Sequence, residues 1–149
     1  MLKQQQGIGL LELMLALAVI AMMMVAASRY YQSTQVARRV QIAVESVQAL
    51  YAANERYVQD YGISTVTLAD LTSKGYLPAD FGDTANPWGG DITLALASSS
   101  TVYLKATFSK VPESDCKNVY NKLHAKFFVK TVDCPTGGGA MAIDMSNQL

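Results

Sequence analysis

Residues 7–27 read GIGLLELMLALAVIAMMMVAA, an almost uninterrupted apolar stretch with one carboxylate, Glu12, near its start. From Ile8 to Ala27 the stretch contains 20 residues. A helix of about that length, rising roughly 1.5 Å per residue, spans the ~30 Å hydrocarbon core of a bilayer. A charged residue inside such a span costs roughly 2.5–3.5 kcal/mol on insertion scales. Glu12 therefore requires an explanation that an ordinary membrane anchor does not provide.

Two familiar kinds of N-terminal segment explain this stretch incompletely. A secretory signal peptide has an apolar run of about 7–15 residues followed by a small-residue cleavage site. This longer run instead continues directly into SRYYQSTQVARRVQ (28–41), with no turn or proline between them. A single-pass anchor has the right length, but it leaves Glu12, Gly7 and Gly9 without a role.

A long helix is predicted to continue beyond the apolar stretch. The chain has no proline before Pro78 and no glycine between Gly9 and Gly62, and these two residue types most often interrupt helices. We therefore predict one helix from about Ile8 to Tyr61. Its first half is expected to extend beyond the rest of the chain, and its second half is expected to pack on a head domain. In that second half a largely apolar stripe recurs at steps of three and four residues, the spacing of one helix face. The stripe consists of Val36, Val40, Ala43, Val47, Leu50, Asn54 and Val58.

The composition and the few candidate catalytic residues argue against an enzyme. The 149 residues carry 12 Lys and Arg against 12 Asp and Glu, a balance that indicates no general affinity for polyanions. The single histidine, His124, has no second ligand or base at helical spacing, and we predict that it lies on the surface. The glycines at 137–139 are not followed by the Lys and Ser or Thr of a phosphate-binding loop. We predict no catalytic site, no metal site and no cofactor.

The motif GIGLLE (7–12) resembles the processing site of type IV prepilins and of the related pseudopilins. In that family a membrane peptidase cuts after a leader that ends in glycine, before the apolar run. The resemblance implies cleavage between Gly7 and Ile8, N-methylation of Ile8, and an assembly role for Glu12 as the fifth mature residue. In a filament the Glu12 carboxylate would meet the α-amine of Ile8 in a neighbouring copy, and a paired buried charge costs much less than an unpaired one.

Two turn-rich segments follow the long helix. The segment TLADLTSKGYLP (67–78) predicts a short helix with Thr67 as N-cap and Asp70 in the capping-box position. The segment DTANPWGGD (83–91) predicts a loop, because Asn-Pro and Gly-Gly are strong turn signals. This loop resembles the one found after the helix in many pilins and pseudopilins. We expect Trp88 to anchor it onto the head.

The rest of the head is predicted to be mainly strand. The segment DITLALASSSTVYLKATFSKV (91–111) alternates apolar and polar residues and predicts two strands joined at Ser98–Ser100. The segment KFFVKTV (126–132) predicts a third strand, which ends near Cys134. The segment TGGGAMAIDM (136–145) predicts a flexible turn and a closing strand.

One further helix is predicted between these strands, in PESDCKNVYNKLHA (112–125). Ser114 or Asp115 is expected to cap it, because both residue types are favoured at helix N-caps. Four residues recur at i, i+3, i+4 and i+7 and predict its buried face. They are Cys116, Val119, Tyr120 and Leu123.

The two cysteines, Cys116 and Cys134, both lie in the last third of the chain. Two such residues are most often free thiols in a cytosolic protein and more often a disulfide in an exported one. The sequence Val111-Pro112, followed by a cysteine on the first turn of a helix and a second cysteine near the end, resembles type IVb pilins. That resemblance implies a Cys116–Cys134 disulfide bounding the C-terminal loop, with a stabilisation of roughly 3 kcal/mol in the chain-entropy model. Because pseudopilins commonly lack this bond, the cysteines favour a pilin.

Residues 105–130 carry six lysines against Glu113 and Asp115, a local excess of positive charge. Contact with nucleic-acid phosphates requires mainly such clustering, and some relatives in the family act in DNA uptake. A solvated face, or contact with a neighbouring subunit, is the alternative interpretation. The candidate surface-binding lysines are Lys105, Lys110, Lys117, Lys122, Lys126 and Lys130.

The resemblance implies an α+β chain with the type IV pilin fold. A long N-terminal helix, protruding over its apolar half, is expected to pack on a small antiparallel sheet with a disulfide-bounded C-terminal loop. Residues 1–7 would be the leader and 8–28 the membrane and filament-core helix. Residues 29–62 would be the amphipathic half of that helix, and 63–149 the globular head.

The predicted function is that of a structural subunit of a type IV pilus. The chain would enter the bacterial inner membrane, be processed, and polymerise into a surface filament for adhesion, motility, aggregation or DNA uptake. The implied partners are copies of itself, the prepilin peptidase, the pilus assembly platform with its ATPase machinery, and DNA or a host surface. Two alternatives are a pseudopilin of a type II secretion system and a minor pilin with a binding role at the filament tip.

Overall fold

The computed structural model describes residues 9–62, 66–96 and 103–146. Four helices and four strands are present in these ranges, so the predicted α+β class is confirmed. In chain order they are α1 (Leu10–Tyr61), α2 (Leu68–Ser73), α3 (Phe81–Thr84), β1 (Ile92–Leu96), β2 (Tyr103–Val111), α4 (Glu113–Leu123), β3 (Val129–Asp133) and β4 (Gly139–Ser146).

Helix α1 is continuous for 52 residues, which confirms the prediction of one long helix over the described residues. Its continuity follows from the absence of proline and of internal glycine, the two strongest helix breakers. The chain divides into two compact units, one up to Val36 and one from Ala37 onward. In the second unit the predicted stripe is buried, whereas Val36 in the first is half-buried. The buried members of the stripe are Val40, Ala43, Val47, Leu50, Asn54 and Val58.

The four strands form one antiparallel sheet in the order β1-β2-β4-β3. Strands β1 and β2 are consecutive, and Ile92 lies opposite Phe108 in their pairing. The connection between them, including the turn predicted at Ser98–Ser100, lies outside the described residues. The C-terminal strand β4 pairs with β2 on one side and β3 on the other, so the predicted closing strand is a central one.

The core of the head is formed by alternate residues of the two central strands and by the buried stripe of α1, which packs on the sheet. Successive side chains of a strand point to opposite faces, so every second residue reaches the core. Burying each large apolar side chain contributes roughly 1.5–3 kcal/mol. The fully buried residues of β2 and β4 are Leu104, Ala106, Phe108, Met141, Ile143 and Met145.

Helix α2 begins as its sequence predicts. The Asp70 N–H donates to the Thr67 hydroxyl oxygen at 3.2 Å, and the Thr67 N–H donates to the Asp70 carboxylate at 3.0 Å. These two bonds complete the capping box. The Thr67 hydroxyl also donates to this carboxylate, at 2.6 Å, and is the main cause of the lowered pKa of Asp70. Beyond the helix Gly75 has φ +79°, the left-handed conformation that commonly follows a helix end.

Trp88 anchors the loop predicted at 83–91, as expected. Its indole Nε1–H donates to the carboxylate of Asp115 at 2.8 Å, and Asp115 is only 3% exposed. The Asn86 side chain accepts from the Trp88 N–H at 3.0 Å and donates to the Ser109 carbonyl at 3.1 Å. The loop is shorter than predicted, because helix α3 includes its first two residues.

The predicted cap of helix α4 is wrong. The N-cap is Pro112, and neither Ser114 nor Asp115 occupies that position, because the helix already begins at Glu113. Proline has a fixed φ and no N–H group, so it is well suited to the start of a helix. The Asp115 carboxylate is instead bonded to the Trp88 indole.

The buried face of α4 is also narrower than the sequence predicted. Cys116, Val119 and Leu123 are fully buried, but Tyr120 is 45% exposed. Adjacent helix positions differ by about 100° in direction, so Tyr120 lies at the margin of a face centred near Val119. Tyr120 stacks on His124, with their ring centroids 5.3 Å apart. His124 is exposed, as predicted.

We expect Gly90→Ala to destabilise the head by roughly 1–3 kcal/mol, the usual cost of overpacking. A Cβ at Gly90 would lie 2.5 Å from the Ser109 carbonyl oxygen, and backbone is less able to move aside than the end of a side chain. Gly82→Ala is the matched control, because its Cβ would meet only the tip of the Leu68 side chain, at 3.5 Å. Chemical denaturation of the detergent-solubilised variants measures the difference. Equal free energies of unfolding for Gly90→Ala and Gly82→Ala would contradict the close packing of the 83–91 loop against the Ser109 backbone.

Candidate functional site

The first unit presents an exposed and apolar helix surface. Every described residue from 9 to 34 is exposed, and Leu11 reaches 82%. An 18-residue window of α1 has a mean hydropathy of 2.5, and among the described residues this is the one helix long and apolar enough to cross a membrane. Contiguous apolar surface of this extent marks an interaction site, for other protein chains or for lipid.

Glu12 lies in the first turn of α1, and its side chain is exposed. The backbone N–H groups of Glu12 and Leu13 donate to the Gly9 carbonyl at 2.9 and 3.2 Å, which begins the helix. A carboxylate in this turn is stabilised by the positive end of the helix dipole. No ion pair within residues 9–62, 66–96 and 103–146 includes Glu12. Gly7 and Ile8, the predicted cleavage site, lie outside the described residues.

Three residues one position beyond the apolar stretch form a further candidate site, which our sequence analysis missed. Arg29 is exposed, and Tyr30 and Tyr31 are 76% and 65% exposed. Tyrosine is enriched where a membrane span meets the headgroups, and an arginine near a helix end can extend its charged group to the membrane surface. The signal that could have identified this site is the sequence Arg-Tyr-Tyr directly after the span. Chemically, this group can hold the end of the apolar helix at a membrane surface.

The predicted disulfide is present and joins Cys116 in α4 to Cys134 after β3. The sequence separation of 18 residues corresponds to a stabilisation of roughly 3 kcal/mol in the chain-entropy model. The following turn is bonded to α4, because the Gly137 N–H donates to the Glu113 carboxylate at 3.0 Å. A bond from Lys117 at 2.6 Å, and secondly the one from Gly137, lower the pKa of Glu113.

The six lysines are distributed over two strands, helix α4 and the connection after it. Several of them make contacts within the chain, four of which are given below, so binding to an external polyanion would compete with these contacts. Lys126 and Lys130 are exposed residues that follow α4. The four contacts are Lys105 with the Asp144 carboxylate at 3.8 Å, Lys110 with the Gly89 carbonyl at 3.1 Å, Lys117 with Glu113 at 2.6 Å, and Lys122 with the Gln41 side chain at 3.2 Å.

Comparison with protein families identifies a motif at the N-terminus. The family model described as "Prokaryotic N-terminal methylation motif" matches residues 2–28. This range includes Glu12 and the exposed apolar stretch of α1, together with the predicted cleavage position.

Two curated relatives are each described as "Major structural subunit of bundle-forming pilus". They come from Escherichia coli O127:H6 (strain E2348/69 / EPEC) and Escherichia coli O111:H-. Each is 26% identical over 121 residues, which cover 76% of this chain and 63% of the relative. This chain therefore spans less than two-thirds of the length of these relatives. Both are described as structural subunits.

The methylation motif, the fold and the relatives agree with one another. The fold combines a long N-terminal helix, a four-stranded antiparallel sheet and a disulfide in the C-terminal region. The findings do not favour the pseudopilin or the tip-pilin alternative. This chain is therefore similar to pilus structural subunits in its N-terminal motif and in its sequence.

Proposed function

We propose that this chain is the structural subunit of a type IV pilus and polymerises through its N-terminal helix. One observation carries the proposal: the described part of the methylation motif, residues 9–28, presents an apolar and exposed helix surface. Such a surface is stable in lipid. It is also stable against other helices, because packing within a bundle replaces the contacts with lipid tails.

The chain is proposed to have four functional segments. Residues 1–7 are the leader, which is removed, and residues 8–28 form the membrane span and later the filament core. Residues 29–62 are the amphipathic half of the helix, and residues 63–149 form the exposed head. The exposed and apolar character of the described part of 8–28, and the buried stripe from residue 40 onward, support this division.

Processing would create the partner of Glu12. Hydrolysis of the bond between Gly7 and Ile8 frees a positively charged α-amine on Ile8, and a separate transfer from a methyl donor then methylates it without removing its charge. The Glu12 carboxylate of a neighbouring copy can accept a hydrogen bond from this ammonium group. Charges buried among apolar helices are stable only when they are paired, so the pair would set the register of each incoming subunit. The exposed position of Glu12 in the first turn of α1 supports this role.

The location of the chain is proposed to change during assembly. It would first lie in the bacterial inner membrane, held at the end of the span by Arg29, Tyr30 and Tyr31, and then in an extracellular filament. The disulfide is consistent with export, because such bonds persist in oxidising compartments. The prepilin peptidase and the assembly platform with its ATPase machinery are the proposed partners in these steps.

The filament itself would serve adhesion, motility, aggregation or DNA uptake. DNA or a host surface is the proposed external partner of the lysines. Lys126 is the first candidate for this contact, because it is exposed in the connection that follows α4.

Analysis of sheared surface filaments tests the proposed function. Filaments from cells that produce this chain should contain it as the dominant protein, and deletion of its gene should remove them from electron micrographs. The pseudopilin alternative predicts a different result, in which deletion abolishes protein secretion and the chain is absent from surface filaments. Presence in filaments at trace level would instead indicate a minor pilin.

A further inference from the structure

A groove of about 260 Å³ lies between α1 and α3 on the head. The groove is open to solvent, and its volume is sufficient for an aromatic ring to lie against the apolar lining. Glu45 also lines the groove, and it is an exposed carboxylate. The apolar lining consists of Ile42, Ala49, Phe81 and Ala85.

Phe127 is an exposed aromatic residue in the connection between α4 and β3. Its side chain is 75% exposed, although it makes edge contacts with Tyr51 and Phe128 at centroid distances of 6.3 and 5.5 Å. These contacts restrict the ring and leave most of it free to bind. Aromatic side chains that insert into apolar pockets are typical anchors of protein interfaces.

The groove and Phe127 lie on opposite sides of α1. Ile42 lines the groove and Tyr51 contacts Phe127. These two residues are nine positions apart, about two and a half helical turns at ~3.6 residues per turn, so their side chains leave the helix in opposite directions. Phe127 therefore cannot enter the groove of its own chain, but a second copy can supply it.

The charges around the two surfaces are complementary. Residues 116–132 contain four lysines and no acidic residue, and exposed Lys126 directly precedes Phe127. On the α3 side of the groove, residues 75–104 contain three aspartates and no lysine or arginine, and Asp83 is an exposed residue of α3. The α1 side carries Glu45 and, one helical turn before Ile42, the exposed Arg38. Complementary charges of this kind orient a contact and exclude the wrong pairing.

We propose that Phe127 of one copy inserts into the α1–α3 groove of the next copy, with Lys126 close to Glu45 and Asp83. This contact rests on the proposed function and specifies how neighbouring heads join. The occupant is a second copy of this chain, because one head carries both the basic surface with Phe127 and the acidic surface with the groove. The contact is heterologous, so it can repeat in an open helical filament.

Cysteine cross-linking at the margin of the contact tests the proposal. The double variant Glu45→Cys with Lys126→Cys leaves Phe127 and the apolar lining intact, and the native cysteines, Cys116 and Cys134, are already bonded to each other. After mild oxidation of sheared filaments, non-reducing gels should show a ladder of covalent oligomers. Each single variant should give dimers at most. Abundant filaments of the double variant without a ladder would overturn the contact.

A second variant measures the contribution of the aromatic ring. Phe127→Ser should lower the filament yield by about tenfold, because truncating a central aromatic anchor commonly costs at least that much in affinity. Tyr120→Ser removes another exposed ring of the same head and should leave the yield within about twofold. Equal membrane levels of both chains exclude a folding defect. Equal filament yields would overturn the proposed contact.

The two proposals fail in distinguishable ways. If the wild-type chain is absent from surface filaments, the proposed function is wrong, and the contact between heads is wrong with it. If wild-type filaments are abundant but either the ladder or the loss of yield is not observed, only the contact is wrong.

Discussion

Replacing Glu12 by valine is expected to abolish surface filaments while leaving the chain cleaved, methylated and inserted in the membrane. The substitution leaves the proposed amine of a neighbouring Ile8 buried without its counter-charge, and removing one partner of a buried pair costs about 3–5 kcal/mol. Each ~1.4 kcal/mol is a tenfold change, so the equilibrium for adding a subunit should fall by more than about 100-fold. The measurement is the ratio of this chain in sheared filaments to that in membranes.

The control for Glu12→Val is Leu11→Met, a volume-conserving apolar change at the neighbouring position, which is also exposed. It should assemble as the wild type does, because it removes no charge. In lipid, valine is accommodated more easily than glutamate, so a failure of Glu12→Val to insert is not expected. Wild-type filament yield from Glu12→Val would rule out a required pair with the Ile8 amine.

Replacing Gly7 by valine is expected to leave an uncut precursor in the membrane and no filaments. Glycine permits the closest approach of another molecule to the backbone, and a branched side chain next to the scissile bond should block the peptidase. Without the cut, Ile8 has no free amine and Glu12 has no partner for assembly. Immunoblots of membranes should show a single, larger band instead of the mature chain.

Gly9→Ala is the matched control for Gly7→Val. A Cβ at Gly9 meets no atom within 4 Å, so this variant should be cleaved normally. The two position-specific defects also separate processing from assembly, because Gly7→Val stops before cleavage and Glu12→Val stops after it. Normal cleavage of Gly7→Val would show that the cut lies elsewhere.

Most of the fold was predictable because its signals are local in sequence. The long helix follows from the absence of proline and glycine between Gly9 and Gly62. The cap of α2 follows from Thr67 and Asp70, whose bonds connect residues only three positions apart. The predicted strands follow from period-two alternation, and their pairing formed the expected antiparallel sheet.

The errors concern contacts between residues far apart in the chain. Asp115 has the residue type of a helix cap, yet its carboxylate is bonded to Trp88, which lies 27 positions earlier. The local pattern also assigned Tyr120 to the buried face of α4, but burial depends on what packs against each position. Pairing of Lys105 with Asp144 depends on the register between β2 and β4, which a lysine count does not reveal.

The candidate site shows the same division between local and long-range signals. Glu12 and the apolar stretch were recognised because motif and length are properties of one short segment. The groove between α1 and α3 combines Ile42 with Phe81, residues whose proximity only the folded chain reveals. Its complement, Phe127, appears in the sequence as an ordinary residue of an apolar strand, whereas in the structure it is exposed.

The most direct test of subunit processing and assembly is the mass of the N-terminal peptide of this chain in filaments sheared from cells. We expect a peptide that begins at Ile8 and carries one methyl group on its amine. A chain that still begins at Met1 and is recovered only from the membrane fraction would contradict both the cleavage and the assembly of this subunit.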